Sequence, residues 1–87
     1  MGKLVVYREA TMMHRRDVVT VFLDGKPVGE VRDGNRLVID VPCGARSISV
    51  KCNLSARRTC KVDIQDGKTT TLLAYFSFWR GLRLQPS

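Results

Sequence analysis

The stretch VFLDGKPVGEV, from Val21 to Val31, comes closest in this sequence to a phosphate-binding loop, because it places two glycines and a lysine between apolar residues. A P-loop requires the spacing G-x-x-x-x-G-K-[ST] between a strand and a helix, so that backbone N–H groups and the lysine converge on the phosphates. This stretch has neither that spacing nor a helix-forming run after it. Turn chemistry explains it instead, since Asp24-Gly25 is a favoured hairpin pair and Pro27 suits the margin of a sheet.

Residues suited to acid–base catalysis are few and isolated. The single histidine, His14, has no sequence neighbour that marks it as a general base, and a loop position within MMHRR is the simpler interpretation. Asp24, Asp33 and Asp66 each precede a glycine and are explained by turn formation. A chain of 87 residues is also one small domain with little room for an active-site cleft. We therefore predict no catalytic residues and no enzyme activity.

The three cysteines, Cys43, Cys52 and Cys60, lack the C-x-x-C spacing of a zinc site. If Cys43 opens a strand and Cys52 ends it, about nine residues at ~3.3 Å each hold them roughly 30 Å apart, so one metal cannot bind all three. Cys52 and Cys60 could face each other across a hairpin. In a reducing cytosol they would be small buried hydrophobes, with a disulfide as the alternative. No metal and no cofactor is predicted.

Short β-rich runs separated by turn signals fill the chain, and no segment has helical periodicity. Hydrophobic residues make up 44% of the sequence, which is typical of a folded rather than a disordered chain. The pattern predicts a single all-β domain over residues 1–87, an antiparallel seven-stranded β-sandwich of the immunoglobulin- or transthyretin-like kind, with a short C-terminal tail at residues 80–87. The predicted strands are Lys3–Arg8, Val18–Leu23, Pro27–Val31, Arg36–Val41, Arg46–Cys52, Thr59–Gln65 and Lys68–Trp79.

Alternation of apolar residues assigns the buried face of each strand. It directs Leu37, Ile39 and Val41 to the core. In the last strand one face holds Leu72, Ala74, Phe76 and Phe78, and the aromatic residues there are interpreted as core, with a stacking surface as the alternative. Across the hairpin before it, a symmetric register pairs Ile48 with Ile64, Val50 with Val62 and Cys52 with Cys60.

Four segments carry a family resemblance: GKLVVYRE, VTVFLDGKPVGEV, a DGN turn leading into LVIDVPCGARSISV, and a final strand after IQDGK. Over nearly the whole chain they resemble the PEGA-type domains and related small bacterial β-sandwich families of unassigned function. The resemblance implies an all-β accessory or interaction module, often attached to larger membrane or surface proteins, with no catalytic residues to carry over. Cys43 departs from the pattern, because such domains often have proline there.

No segment has the features of a targeting or membrane-spanning sequence. The run MGKLVVYREATMM is interrupted by Arg8 and Glu9, unlike the apolar core of a secretory signal. LLAYFSFW is shorter than the roughly 18 to 20 apolar residues that cross a bilayer. We therefore expect a cytoplasmic protein.

The arginines give the strongest functional indication, because strand parity predicts where they lie. In seven alternating strands, the first, third and fifth connections and the tail meet at one end of the sandwich. These segments hold eight of the ten arginines against the carboxylates of Glu9, Asp17 and Asp33. Arginine makes bidentate contacts with phosphate and carboxylate, so the eight are predicted to bind a partner. They are Arg15, Arg16, Arg32, Arg36, Arg57, Arg58, Arg80 and Arg83.

The sequence therefore predicts a non-enzymatic module that binds an anionic partner, with an acidic protein surface as the first hypothesis. Non-specific nucleic-acid binding through phosphate contacts is the second, although no recognition motif is present. A structural or assembly module, as in a bacterial surface or phage-like complex, is the third. Ordinary solvation of basic loops is the alternative to all three.

Overall fold

Eight β-strands and no helix form the regular structure of this chain, in a computed structural model that describes residues 1–10, 18–52, 56–77 and 81–86. The strands are β1 (Gly2–Arg8), β2 (Val19–Leu23), β3 (Lys26–Val31), β4 (Arg36–Val41), β5 (Gly44–Lys51), β6 (Arg58–Ile64), β7 (Thr69–Ser77) and β8 (Gly81–Pro86). The all-β prediction is confirmed. None of the described residues belongs to a helix that could cross a membrane.

The strands form two four-stranded sheets in a sandwich-like arrangement. Sheet A has the order β4-β1-β7-β8, and sheet B has the order β3-β2-β5-β6. Neighbouring strands are antiparallel except for β1 and β7, which are parallel. This exception follows from the alternation of strand direction along the chain, because six reversals separate β1 from β7. The predicted alternation of the first seven strands is therefore observed.

The prediction of seven strands is wrong, because the segment after Gly81 is an eighth strand rather than a tail. Gly81 has a φ of 72°, a backbone conformation that glycine adopts without strain, at the start of the strand that runs back along β7. Ala74 then lies opposite Leu84, and Phe76 lies opposite Leu82. Leu82 is fully buried. Leu82 and Leu84 alternate with Arg83 in the sequence, as apolar and polar residues do in a strand. Two apolar residues near a terminus are too few to predict a strand from this pattern.

The core lies between the sheets and is built from the alternating residues of both. In β1 the inward residues Leu4 and Val6 are fully buried, and Ile48 and Val50 of β5 are their counterparts in sheet B. Val41 is also fully buried, whereas Leu37 and Ile39 are half-buried against the core. This difference arises because β4 is an edge strand. The three-residue core prediction for β4 therefore has the correct face throughout.

The predicted register of the β5–β6 hairpin is wrong by four residues. Ile48 lies opposite Cys60, and Gly44 lies opposite Ile64, so Cys52 and Cys60 are not cross-strand neighbours. β5 begins at Gly44, directly after the preceding turn, and its first residues pair with the end of β6. Because the shift is an even number, every side chain keeps its predicted face. All three cysteines are free thiols.

The Asp24-Gly25 pair forms the predicted hairpin turn between β2 and β3. Asp24 has a φ of 48° and Gly25 a φ of 87°, the positive values that such a two-residue turn requires. Pro27 lies in β3, an edge strand, opposite a register irregularity between Val21 and Phe22. The stretch that resembled a phosphate-binding loop is therefore a hairpin.

Candidate functional site

The strand directions bring the last residues of β1, β3, β5 and β7 to one end of the sandwich, which we call the arginine pole. The connections after β2, β4 and β6 lie at the opposite end. Arg32, Arg36, Arg57 and Arg58 are at or beside the described parts of the arginine pole, as the strand parity predicted. Arg83 is the third residue of β8 and lies opposite Tyr75 of β7. Arg15, Arg16 and Arg80, like His14, Asp17, Phe78 and Trp79, lie outside the described residues.

A tight turn between β3 and β4 sets the positions of Arg32 and Arg36. The Asn35 N–H donates to the carbonyl of Arg32 at 3.0 Å, and Gly34 has a φ of 73°. The Arg8 N–H donates to the carbonyl of Asn35 at 2.9 Å, which attaches the turn to β1. The two arginines therefore stand at the two ends of one fixed turn.

Both arginines line an open concavity of about 720 Å³ at the arginine pole. Its lining consists of Tyr7, Glu30, Arg32, Gly34, Asn35 and Arg36. Within the described part of the chain, the side chains of Arg32 and Arg36 form no ion pair and no hydrogen bond. Each guanidinium offers five N–H donors in a planar fork. We call this group of residues the β3–β4 concavity, and its donors suit a carboxylate or phosphate.

Arg57 and Arg58, which are neighbours in sequence, are engaged within the fold. The guanidinium of Arg57 lies over the ring of Phe22, with its carbon atom 4.2 Å from the ring centroid. The Nε of Arg58 donates to the carbonyl of Leu82 at 3.0 Å, and the residue is half-buried. Strand parity predicted their location but could not distinguish these structural contacts from the unengaged side chains of the β3–β4 concavity.

Arg8 is a further arginine among the described residues at this end, and it was not among the eight that strand parity predicted. Its side chain is fully buried, with Nη1 donating to the carbonyl of Val31 at 3.4 Å. Its guanidinium carbon is 5.2 Å from the centroid of the Phe76 ring. The sequence pattern could have predicted that Arg8 is buried, because Arg8 continues the inward-facing series of Leu4 and Val6 in β1. Arg8 connects the sheets beneath the pole and is not accessible to a partner.

Of the arginines that the structure describes, Arg46 lies at the opposite end, and its side chain is fully engaged. Arg46 donates to the carbonyl of Pro42 at 3.0 Å and of Cys43 at 2.8 Å, and it forms an ion pair of 3.3 Å with Asp24. The backbone N–H of Ser47 also donates to Asp24, at 2.9 Å. These two contacts, the Ser47 bond first, lower the pKa of Asp24 below its ordinary value of 3.8.

A second group of polar atoms at the same end contains Asp66. It forms an ion pair of 2.7 Å with the terminal ammonium of Met1, and this hydrogen bond lowers the pKa of Asp66. The Cys43 thiol lies 4.0 Å from the same carboxylate. Among the described residues, no cluster of three or more histidine, cysteine, aspartate or glutamate side chains could hold a metal ion.

Comparison with known proteins finds no matching family, no matching curated protein and no matching solved structure.

Proposed function

We propose that this chain is a non-enzymatic interaction module that binds an acidic protein surface through the arginine pole, with the β3–β4 concavity as the principal contact. One observation carries the proposal: Arg32 and Arg36 stand at either end of a fixed turn, and neither side chain has an ion-pair partner among the described residues. The turn fixes the backbone of both residues, and the planar guanidinium fork loses less side-chain entropy per hydrogen bond to a carboxylate than a flexible ammonium group does.

Glu30 favours a protein partner over nucleic acid. Glu30 is one of the residues that line the β3–β4 concavity, and its negative charge there would repel a continuous phosphate backbone. A protein surface can place a lysine or arginine against Glu30 and carboxylates against the two arginines. This alternation of charge supports specific recognition rather than general attraction to anions.

Edge-to-edge assembly, the third hypothesis, has less support at the β3 edge. The edge strand β3 contains Pro27, which lacks an N–H donor, and pairs irregularly with β2. Both features hinder the addition of a further strand. The resemblance to PEGA-type domains, an immunoglobulin- or transthyretin-like topology and a cytoplasmic location remain predictions from the sequence.

Titration with polyglutamate, and separately with oligothymidylate, tests the proposal. The double variant Arg32→Glu/Arg36→Glu should weaken polyglutamate binding by roughly tenfold or more, because charge-assisted hydrogen bonds are worth about 1.5–3 kcal/mol each. The matched control is Lys26→Glu/Lys68→Glu, which makes the same change in net charge at exposed positions of the opposite end. Arg46 is unsuitable as a control because its side chain is engaged.

Two outcomes would contradict the proposal. Equal loss of polyglutamate binding in both double variants would mean that only net charge matters. Tighter binding of oligothymidylate than of polyglutamate by the unaltered protein, with a steep decrease as salt is added, would favour the nucleic-acid hypothesis instead.

A further inference from the structure

The outer faces of the two sheets differ in character. On sheet B, the outer positions are mainly small or polar, including Thr20, Ser47, Ser49, Thr59 and Lys61. The hydroxyl oxygens of Ser49 and Thr59 are hydrogen-bonded at 2.9 Å. The one aromatic side chain among these outer positions, Phe22, is covered by the guanidinium of Arg57. This face therefore has little apolar surface left for a partner.

The outer face of sheet A has a contiguous group of apolar and aromatic side chains. Val5 lies beside Val38 on one neighbouring strand, and Tyr7 lies beside Leu73 on the other. Tyr7 is 39% exposed and Val38 is 50% exposed, so both present apolar surface to solvent on this face. We call this group the apolar strip; its members are Val5, Tyr7, Val38, Leu73 and Tyr75.

Basic residues flank the apolar strip on the side of the arginine pole. Arg36 lies beside Tyr7, and Arg83 lies beside Tyr75. At the other end of the same face, Lys3 forms an ion pair of 3.0 Å with Asp40. The basic side chains of this face that have no ion-pair partner among the described residues, Arg36 and Arg83, are therefore the ones next to the arginine pole. Arg36 also lines the β3–β4 concavity, so the two surfaces are continuous.

We infer that the apolar strip is the second half of the binding surface, and that the partner is an acidic protein segment that also carries apolar or aromatic side chains. Its carboxylates would bind Arg36, Arg83 and the β3–β4 concavity, while its apolar residues would cover the strip. Tyrosine and arginine are the residues that dominate protein interfaces of this kind. The inference rests on the proposed function and deepens it.

Charge and shape select this occupant over two others. A second copy of the chain would bring Arg36 and Arg83 against a face of the same sign, which disfavours self-association. Single-stranded nucleic acid requires flat rings on which successive bases stack. Three of the five members of the strip, Val5, Val38 and Leu73, are aliphatic and offer no such ring.

The test compares two soluble probes, polyglutamate and a random copolymer of glutamate and tyrosine, at equal carboxylate concentration. The unaltered protein should bind the copolymer roughly fivefold to tenfold more tightly, because only the copolymer can cover apolar surface. The double variant Val5→Thr/Val38→Thr, which preserves side-chain shape and β-branching, should lose most of that gain and keep its affinity for polyglutamate. The matched control Val28→Thr changes an exposed valine of β3 and should leave both affinities unchanged.

Failure of this inference is distinguishable from failure of the proposed function. If polyglutamate and the copolymer bind equally well, or if Val5→Thr/Val38→Thr binds both like the unaltered protein, the apolar strip is not part of the interface. If Arg32→Glu/Arg36→Glu binds both polymers normally, the proposed function itself is wrong. Sedimentation that gives a dimer abolished by Val5→Thr/Val38→Thr would assign the strip to a second copy and overturn the inference.

Discussion

The Nε of Arg58 donates a hydrogen bond to the carbonyl of Leu82 at 3.0 Å, and so joins β6, the edge of sheet B, to β8, the edge of sheet A. On the opposite side of the sandwich, Gly29 of β3 lies against the side chain of Leu37 in β4. The two sheets are therefore in contact along both pairs of edges. Arg58 thus has a structural role that its position in a basic loop did not indicate.

Replacing Arg58 with alanine should destabilise the fold. The free energy of unfolding should fall by about 1–3 kcal/mol, because a charge-assisted hydrogen bond is lost and the Leu82 carbonyl loses its donor. Arg57→Ala should cost less, about 0.5–1 kcal/mol, because an exposed cation–π contact is worth no more than that. Urea denaturation followed by circular dichroism measures both, and equal losses would contradict the assignment of Arg58.

The last strand should be required for stability and not only for binding. Leu82→Ala should lower the free energy of unfolding by about 2–5 kcal/mol, as for other fully buried leucines. Leu84→Ala should cost clearly less, because Leu84 is only half-buried. If thermal unfolding shows no difference between these variants and the unaltered chain, residues 81–86 do not pack as β8.

Arg8 supplies both packing and charge in the core, and two variants separate these contributions. Arg8→Ala removes most of a fully buried side chain and should cost about 3–5 kcal/mol. Arg8→Met restores much of the volume without the charge, so its loss should be smaller. Chemical denaturation of both proteins gives the comparison; equal losses would mean that the charged contacts of Arg8, not its volume, dominate.

The pH dependence of stability should include a contribution from Asp24. Its folded pKa lies below the ordinary value of 3.8, so the carboxylate stabilises the fold above pH 3.8 and that contribution disappears as pH falls through the folded pKa. Asn is a suitable replacement because it also tolerates the positive φ of this turn position.

The unaltered protein should therefore have a higher melting temperature than Asp24→Asn at neutral pH. The difference should stay constant as pH falls towards 3.8 and then shrink at lower pH. Thermal unfolding across this range measures it, and a difference that does not change below pH 3.8 would rule out the carboxylate as its source.

The face of each strand was predictable because alternation of apolar residues depends only on local sequence. Ile48 and Val50 are buried, and Val38 is exposed, as their positions in the pattern require. Register was not predictable in the same way. A shift of four residues between β5 and β6 leaves Cys60 on the same face, so the apolar pattern fits both registers equally well.

For the candidate site, the location of the arginines was predictable from the sequence, but their side-chain contacts were not. Strand parity brought Arg36 and Arg58 to one end from distant parts of the chain, because the number of reversals fixes direction. Which of them could meet a partner depended on the neighbouring side chains. Arg58 reaches a carbonyl on another sheet, whereas Arg36 stands beside Tyr7 at an open concavity. Those contacts join residues far apart in sequence, so no local pattern encodes them.

The parallel pairing of β1 with β7 has a consequence for the order of folding. Lys3 lies beside Thr69, so β1 cannot complete its hydrogen bonds until nearly the whole chain has been synthesised. A nascent chain that has reached only β6 can pair β1 with β4, which leaves the other edge of β1 open to a strand from another molecule. Because so many contacts join distant positions, the domain should fold slowly, in milliseconds or longer, and only after β7 has left the ribosome.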